Sequence, residues 1–209
     1  MKGLRAGGTI SFGKYPQGTN GEVLPVEWQV LGVERDYAIL LSRYILDVRP
    51  FSNEARAMYW TSSSLREWLN VEFPARAFSH EELERIYVPE NPDNSAALFW
   101  FLTGDDADTD GLGERVFLLS ASDMAGYFPG ENPIDCPGSS TDATGYVKAL
   151  YREWYETRGS MNGKALWWLR TTSNSYPAAY VVSPAESIGF AFIEPGCING
   201  VRPSLRLKV

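Results

Sequence analysis

Trp167-Trp168-Leu169-Arg170 and Gly200-Val201-Arg202-Pro203-Ser204-Leu205 frame the stretch on which the reading of this chain turns. The two ends are aromatic, apolar and arginine-bearing, whereas residues 171 to 199 are dominated by Ser, Thr, Asn, Ala, Tyr, Pro and Gly, with Glu186 and Glu194 their only charges. Rigid ends around such a segment suit a surface that displays side chains: Tyr supplies contact area at low entropy cost, and Ser or Asn supplies adaptable hydrogen bonding. The same composition also suits ordinary strands and turns closing a sheet, because Gly and Ser clusters are turn formers first of all. Trp167 and Trp168 are adjacent, so on a strand one faces the core and the other the opposite side, where it would floor a ligand site. Arg170 and Arg202 are expected to bond loop carbonyls or pair with acids.

Working back from this region, Gly145 to Arg158 has helical periodicity through Val147, Leu150, Tyr151, Trp154 and Tyr155. Residues 121 to 145, rich in Gly, Pro, Ser and Asp, read as a long structured loop, and Arg115 to Ser120 as a buried strand. The front of the chain is β: residues 8 to 15 alternate, and Val26–Val33 and Tyr37–Arg43 flank Glu34-Arg35-Asp36 as a hairpin. Thr61-Ser62-Ser63-Ser64 leads into Leu65, Trp68, Leu69 and Phe73, with Ser64 and Glu67 spaced as a capping box; Ser79 and Glu82 repeat the device before Leu83, Ile86 and Tyr87. An apolar run, Ser95 to Leu102, precedes an acidic loop from Gly104 to Gly113. The resulting expectation is an α+β fold with an irregular, mostly antiparallel sheet and short helices.

With 209 residues, 44% of them hydrophobic and 13% aromatic, the chain suits one sizeable core, so 1–209 is expected to be a single domain. Net charge is −7 and Lys and Arg do not cluster, which argues against nucleic acid as a partner. The amino terminus lacks the apolar run of a signal peptide, and no stretch approaches the roughly 20 apolar residues of a membrane span. The expectation is therefore no membrane insertion and a cytoplasmic or phage-particle-associated location. Cys136 and Cys197 sit in loop-like contexts without metal-site spacing, and two free thiols are expected.

The ordered motifs Ile10-Ser11-Phe12-Gly13-Lys14-Tyr15, Glu27-Trp28-Gln29-Val30-Leu31, Ser64-Leu65-Arg66-Glu67-Trp68-Leu69-Asn70, Phe117-Leu118-Leu119-Ser120 and the two carboxy-terminal anchors resemble a bacterial and phage family of unknown function. That family resembles a branch of the C-type lectin fold near the formylglycine-generating-enzyme-like proteins. The anchors are also similar to those of the variable proteins of diversity-generating retroelements, in which mutagenic reverse transcription rewrites adenine positions near the end of the gene. The resemblance implies a C-type lectin-like fold and a function in binding rather than catalysis, with residues 171–199 as the display segment. Asn codons rewritten at adenine cannot yield Lys, Gln, Met or Trp, and none of these occurs between 171 and 199; Glu186 and Glu194 need another origin. On this reading Ser173, Asn174, Tyr176, Tyr180, Ser183, Ser187, Phe190, Phe192, Ile198 and Asn199 face a protein or glycan ligand, with Tyr176 and Tyr180 as aromatic anchors and Phe190 and Phe192 on one face. A non-diversified lectin-like or structural module, and a formylglycine-generating-type enzyme, remain as alternatives.

Little in the chain points to catalysis. A Ser–His–Asp or Cys–His nucleophile needs a positioned histidine, and His80, the single histidine, falls inside a capped helix start, where solvated exposure is expected. Cys136 and Cys197 do not sit in a recognisable version of the paired-cysteine motif of the formylglycine-generating enzymes. No cofactor is required by the reading, but the acidic loop offers a calcium site. Asp106, Asp108, Asp110 and Gly111 match the first half of a calcium loop, while the last ligand position falls on Phe117 instead of Glu. Calcium binding and a solvated acidic turn both remain open there. Trp28, Trp68, Trp100 and Trp154, set among apolar neighbours, read as core.

Overall fold

The computed structural model describes residues 3–54, 59–89, 113–173, 176–194 and 196–209. The apolar run at 95–102 with Trp100, the acidic loop with Asp106, Asp108 and Asp110, and Asn174 lie outside the described residues.

The predicted strands at the front form as expected. β1 (Thr9–Pro16) pairs antiparallel with β2 (Val23–Val33), which turns through 34–36 into β3 (Tyr37–Ser42). β1 carries a register shift between Ser11 and Lys14. Gly13 sits there at φ +67°, and a Cβ at this position would come within 2.5 Å of the Phe78 ring. The chain then forms β4 (Asp47–Pro50), a turn of 3₁₀ helix and three short helices, α1 (Ser64–Asn70), α2 (Glu72–Ala77) and α3 (His80–Arg85). β5 (Val116–Phe117) leads into α4 (Ala121–Tyr127); α5 (Gly145–Leu150) and α6 (Arg152–Trp154) follow, and a π turn ends the helical stretch. The remainder is β: β6 (Ser160–Met161), β7 (Lys164–Ala165), β8 (Trp167–Thr172), β9 (Ala178–Val182), β10 (Ile188–Phe192), β11 (Ile198–Val201) and β12 (Ser204–Lys208).

Three expectations are corrected. The cap of α1 is Ser63, whose hydroxyl accepts from the Arg66 N–H; Ser64 Oγ instead accepts from the Asn53 N–H. The stretch 121–145 is not all loop, because Ser120 and Asp123 form a reciprocal capping box that starts α4. The predicted strand over 115–120 is correspondingly short, with ladder pairing at Val116 and Phe117 alone. The box at Ser79 and Glu82 forms as expected, and its Glu82 also accepts from the Gly13 N–H, tying α3 to β1.

The protein is a mixed α/β structure built on mostly antiparallel sheets with short helices. One sheet runs β1-β2-β3-β12-β5 and the other β10-β9-β8-β11-β4; the β11–β8 contact, Gly200 opposite Trp167, is parallel. Strand β8 lies between two apolar cores. Trp168 enters the first, with Trp28, Trp60, Phe51 and Phe73, and Trp167 and Leu169 enter the second, with Leu119, Met124 and Trp154. Both tryptophans are therefore fully buried, and neither floors a ligand site. Trp28, Trp68 and Trp154 are core as expected.

The carboxy-terminal anchors explain how the sheets are joined. A Cβ on Gly200 would stand 2.6 Å from the Leu166 carbonyl oxygen and 2.8 Å from Ile45, so only glycine lets β11 approach β8 this closely. Arg202 is buried, donates to the carbonyls of Ser42 and Ser139 at 2.8 Å each, and stacks over Trp167. Arg170 donates to the Leu118 carbonyl and pairs with Asp123 at 2.8 Å, so both arginines take the structural roles expected of them.

Candidate functional site

The second sheet ends at β10, and that edge carries the most exposed aromatic surface of the display segment. Residues alternate along β10: Ile188 points into the second core, while Phe190 and Phe192 continue the same face beyond it. They are 53% and 54% exposed, and Tyr176, 37% exposed, packs against both. The ring centroids lie 5.5 Å apart for Tyr176 and Phe190, 6.2 Å for Tyr176 and Phe192, and 6.0 Å for Phe190 and Phe192. Edge-to-face and tilted packing of this kind holds the rings against one another while their outer surfaces meet solvent. Tyr180, opposite Phe190 on β9, is partly buried against the second core and forms the inner border of the patch.

The other residues expected to face a ligand separate into different places. Ser183 and Ser187 sit at the far, turn end of the β9–β10 hairpin, where their hydroxyls bond each other at 2.9 Å. Glu186 at that turn adopts φ +59° and accepts from the Gly138 N–H at 2.9 Å and from the Ser140 hydroxyl, which holds its carboxyl below the usual glutamate range. Ile198 lines a groove of about 380 Å³ with Tyr151, Arg152, Trp154 and Gly196. Ser173 and Asn199 are 1% and 4% exposed and contribute to the interior, not to a displayed surface. Among the described residues of that set, Tyr176, Tyr180, Phe190 and Phe192 come together as one patch, and Ser183 and Ser187 as a separate pair.

A polar centre without a counterpart in the sequence reading lies under β4. Asp47 is buried and accepts from Tyr15 Oη at 2.9 Å, from Tyr151 Oη at 3.3 Å and from the Val48 N–H at 2.8 Å. Burial, and the Asp47 carboxylate beside it, push the Tyr15 phenol well above its usual range, and the same causes raise Tyr151 to about 12. Both stay neutral donors at ordinary pH. Arg49 stacks 4.0 Å above the Trp68 ring at the rim of a groove of about 190 Å³. The one signal for this centre in the sequence is a single charge, Asp47, in the apolar run Ile45-Leu46-Asp47-Val48.

Groups considered for chemistry are dispersed. His80 is exposed and lies 3.4 Å from Glu84 within its own helix. No disulfide joins Cys136 and Cys197; Cys136 is buried, and burial pushes its thiol up, away from the thiolate a nucleophile needs. Among the described residues no group of His, Cys, Asp and Glu is arranged to hold a metal ion, and no helix is long and apolar enough to cross a membrane.

A family model described as a domain of unknown function (DUF6273) matches residues 35–209. No curated protein and no solved structure matches the chain. The matched span leaves out β1 and β2, although both strands pair into the first sheet.

Proposed function

The chain belongs to the DUF6273 family, and from that premise we propose that it is a non-enzymatic recognition module whose ligand face is the aromatic edge formed by Tyr176, Phe190 and Phe192. One observation carries the reading: three large rings pack on one another at a sheet edge and leave apolar surface open, which costs hydration free energy unless a ligand covers it. Aromatic anchors of this kind dominate binding energy where they are buried by a partner. The buried anchors on either side support a division of labour between a fixed frame and a displayed segment, which is the arrangement a C-type lectin-like variable protein uses.

The finer reading is that residues 171–199 are a diversified segment of a retroelement variable protein. Solvent exposure divides the positions on that reading: codons 176, 190 and 192 tolerate rewriting, whereas codons 173 and 199 specify buried residues. Deep sequencing of the gene's end across its source population tests this. Substitutions concentrated at 176, 190 and 192, where a template copy holds adenine, are the expected result; a uniform rate across the gene removes the diversified reading. The recognition reading is tested separately by screening the wild type and a Tyr176→Ala/Phe190→Ala variant on peptide and glycan arrays. Binding lost in the variant at unchanged thermal stability is expected, and equal binding by both proteins would move the ligand face elsewhere.

A further inference from the structure

The β9–β10 register determines which backbone groups of the edge strand are engaged. Ser183 donates to the Ser187 carbonyl and Ile193 donates to the Pro177 carbonyl, so Ser187, Gly189, Ala191 and Ile193 turn their polar groups toward β9. The alternate residues turn theirs outward. The first part of that outer edge is already covered by a single bridge from the chain itself: Cys136 donates to the Glu186 carbonyl at 2.8 Å, Ile188 donates to the Ile134 carbonyl at 2.7 Å, and Asp135 bridges antiparallel to Ser187. Before Asp135 the covering segment is a turn, in which the Asp135 N–H donates to the Asn132 carbonyl at 3.0 Å, and the N–H and C=O groups of Phe190 and Phe192 continue the row with no backbone partner among the described residues.

We propose that this open half of β10 accepts an extended segment of another polypeptide as an added strand, with apolar side chains at alternate positions and Lys or Arg at its ends. The inference rests on the recognition reading and names the ligand class for that site. The edge already makes one antiparallel bridge, with a hydrogen bond on each side of it, so the geometry for pairing is in place, and exposed edges are templates for such addition only where bulges, charges or prolines do not block them. None of the three interrupts 188–192. Each incoming side chain opposite Phe190 or Phe192 lands on the aromatic face beside Tyr176, which gives selectivity for apolar residues at alternate positions. Exposed acidic residues adjoin both segments in sequence, Glu194 two residues past β10 and Glu131 three residues before Ile134, and on a chain of net charge −7 they favour basic ends on the partner.

The probe is a short synthetic peptide alternating Val or Phe with Thr between terminal lysines, titrated against the full chain by calorimetry. Two further versions carry backbone N-methyl groups, one at the odd and one at the even positions. Strand addition uses the N–H groups of one parity only, so one version should retain affinity within about twofold and the other should lose at least about tenfold. On the protein side, Phe192→Pro removes an outward N–H as well as the ring, and should bind at least about tenfold more weakly than Phe192→Ala. If the proline variant does not fold, the methylated pair on the wild type decides alone. Equal effects of the two methylation patterns, or no binding of the parent peptide at millimolar concentration, overturn the proposal. A wild-type dimer in sedimentation that Phe192→Pro dissociates would assign the edge to a second copy and overturn it too. Glycan binding that depends on Tyr176 and Phe190, with no peptide binding, would overturn strand addition and leave the recognition reading standing.

Discussion

At Gly200 the absence of one methyl group decides how two strands meet. A Cβ there would be blocked by the backbone carbonyl of Leu166, the residue before β8, and would also crowd the Ile45 side chain. Gly200→Ala should cost about 1–3 kcal/mol, or about 2–4 °C in Tm per kcal/mol for a chain of this size. Gly189→Ala is the control: nothing stands within 4 Å of its Cβ, and the change should be neutral or slightly stabilising in the same thermal melts. Arg202 presents a different dependence. Its charge is buried with two carbonyls and an indole for company, and burial pulls its pKa down to about 9. Lysine keeps a charge but cannot reach both carbonyls or stack as a plane, so Arg202→Lys should lose about 1–3 kcal/mol in denaturant unfolding. These anchors are legible as motifs because their residue types are ones that only close packing or a fork of donors requires.

The hairpin β9–β10 is held at its turn by one carboxylate. Glu186 takes a backbone conformation that favours glycine, and its bonds from Gly138 and Ser140 tie the turn to the loop before α5. Its folded-state pKa is depressed, so these bonds contribute in full above the unfolded glutamate range and are lost as pH falls through the folded value. Glu186 is partly exposed, which keeps the effect under about 1 kcal/mol. Stability of the wild type should therefore decline more steeply than that of Glu186→Gln as pH drops below the ordinary glutamate range, measured by denaturant midpoints across that window; parallel curves would show that the carboxylate carries no such linkage. Legibility at this scale follows local chemistry. The Ser79–Glu82 cap is readable because nothing else near it competes, whereas Thr61-Ser62-Ser63-Ser64 offers several equivalent caps and the Asn53 N–H claims Ser64. Helix α2 is hidden by Pro74, which sits in the first turn where its missing N–H has no cost, and α4 by a stretch whose Gly and Ser content reads as loop although Ser120 and Asp123 mark its start.

For the whole molecule, long-range pairing decides what local pattern cannot. Alternation along β10 places Phe190 and Phe192 on one face, but no spacing reveals that β10 is an edge or that Asn199 lies on a strand covered on both sides. The same topology ties residues outside the family match into the first sheet and its core. β3 is flanked by β2 on one side and β12 on the other, and Phe12, Tyr15, Val26, Trp28 and Val30 from β1 and β2 all enter the first core. At about 1.5–3 kcal/mol for each buried side chain, removing the five forfeits on the order of 10 kcal/mol, comparable with the roughly 5–15 kcal/mol that typically separates a folded domain from its unfolded chain. It also leaves the apolar strand β3 as an unpaired edge. A piece spanning residues 35–209 should therefore lack a cooperative thermal transition and aggregate at concentrations where the full chain gives dispersed amide NMR signals. Adding residues 1–34 in trans as a peptide should restore part of the transition, because the lost strands pair through backbone bonds that the β2–β3 register already specifies. A well-folded 35–209 piece would show instead that β1 and β2 are an appendage to a core the family span completes alone.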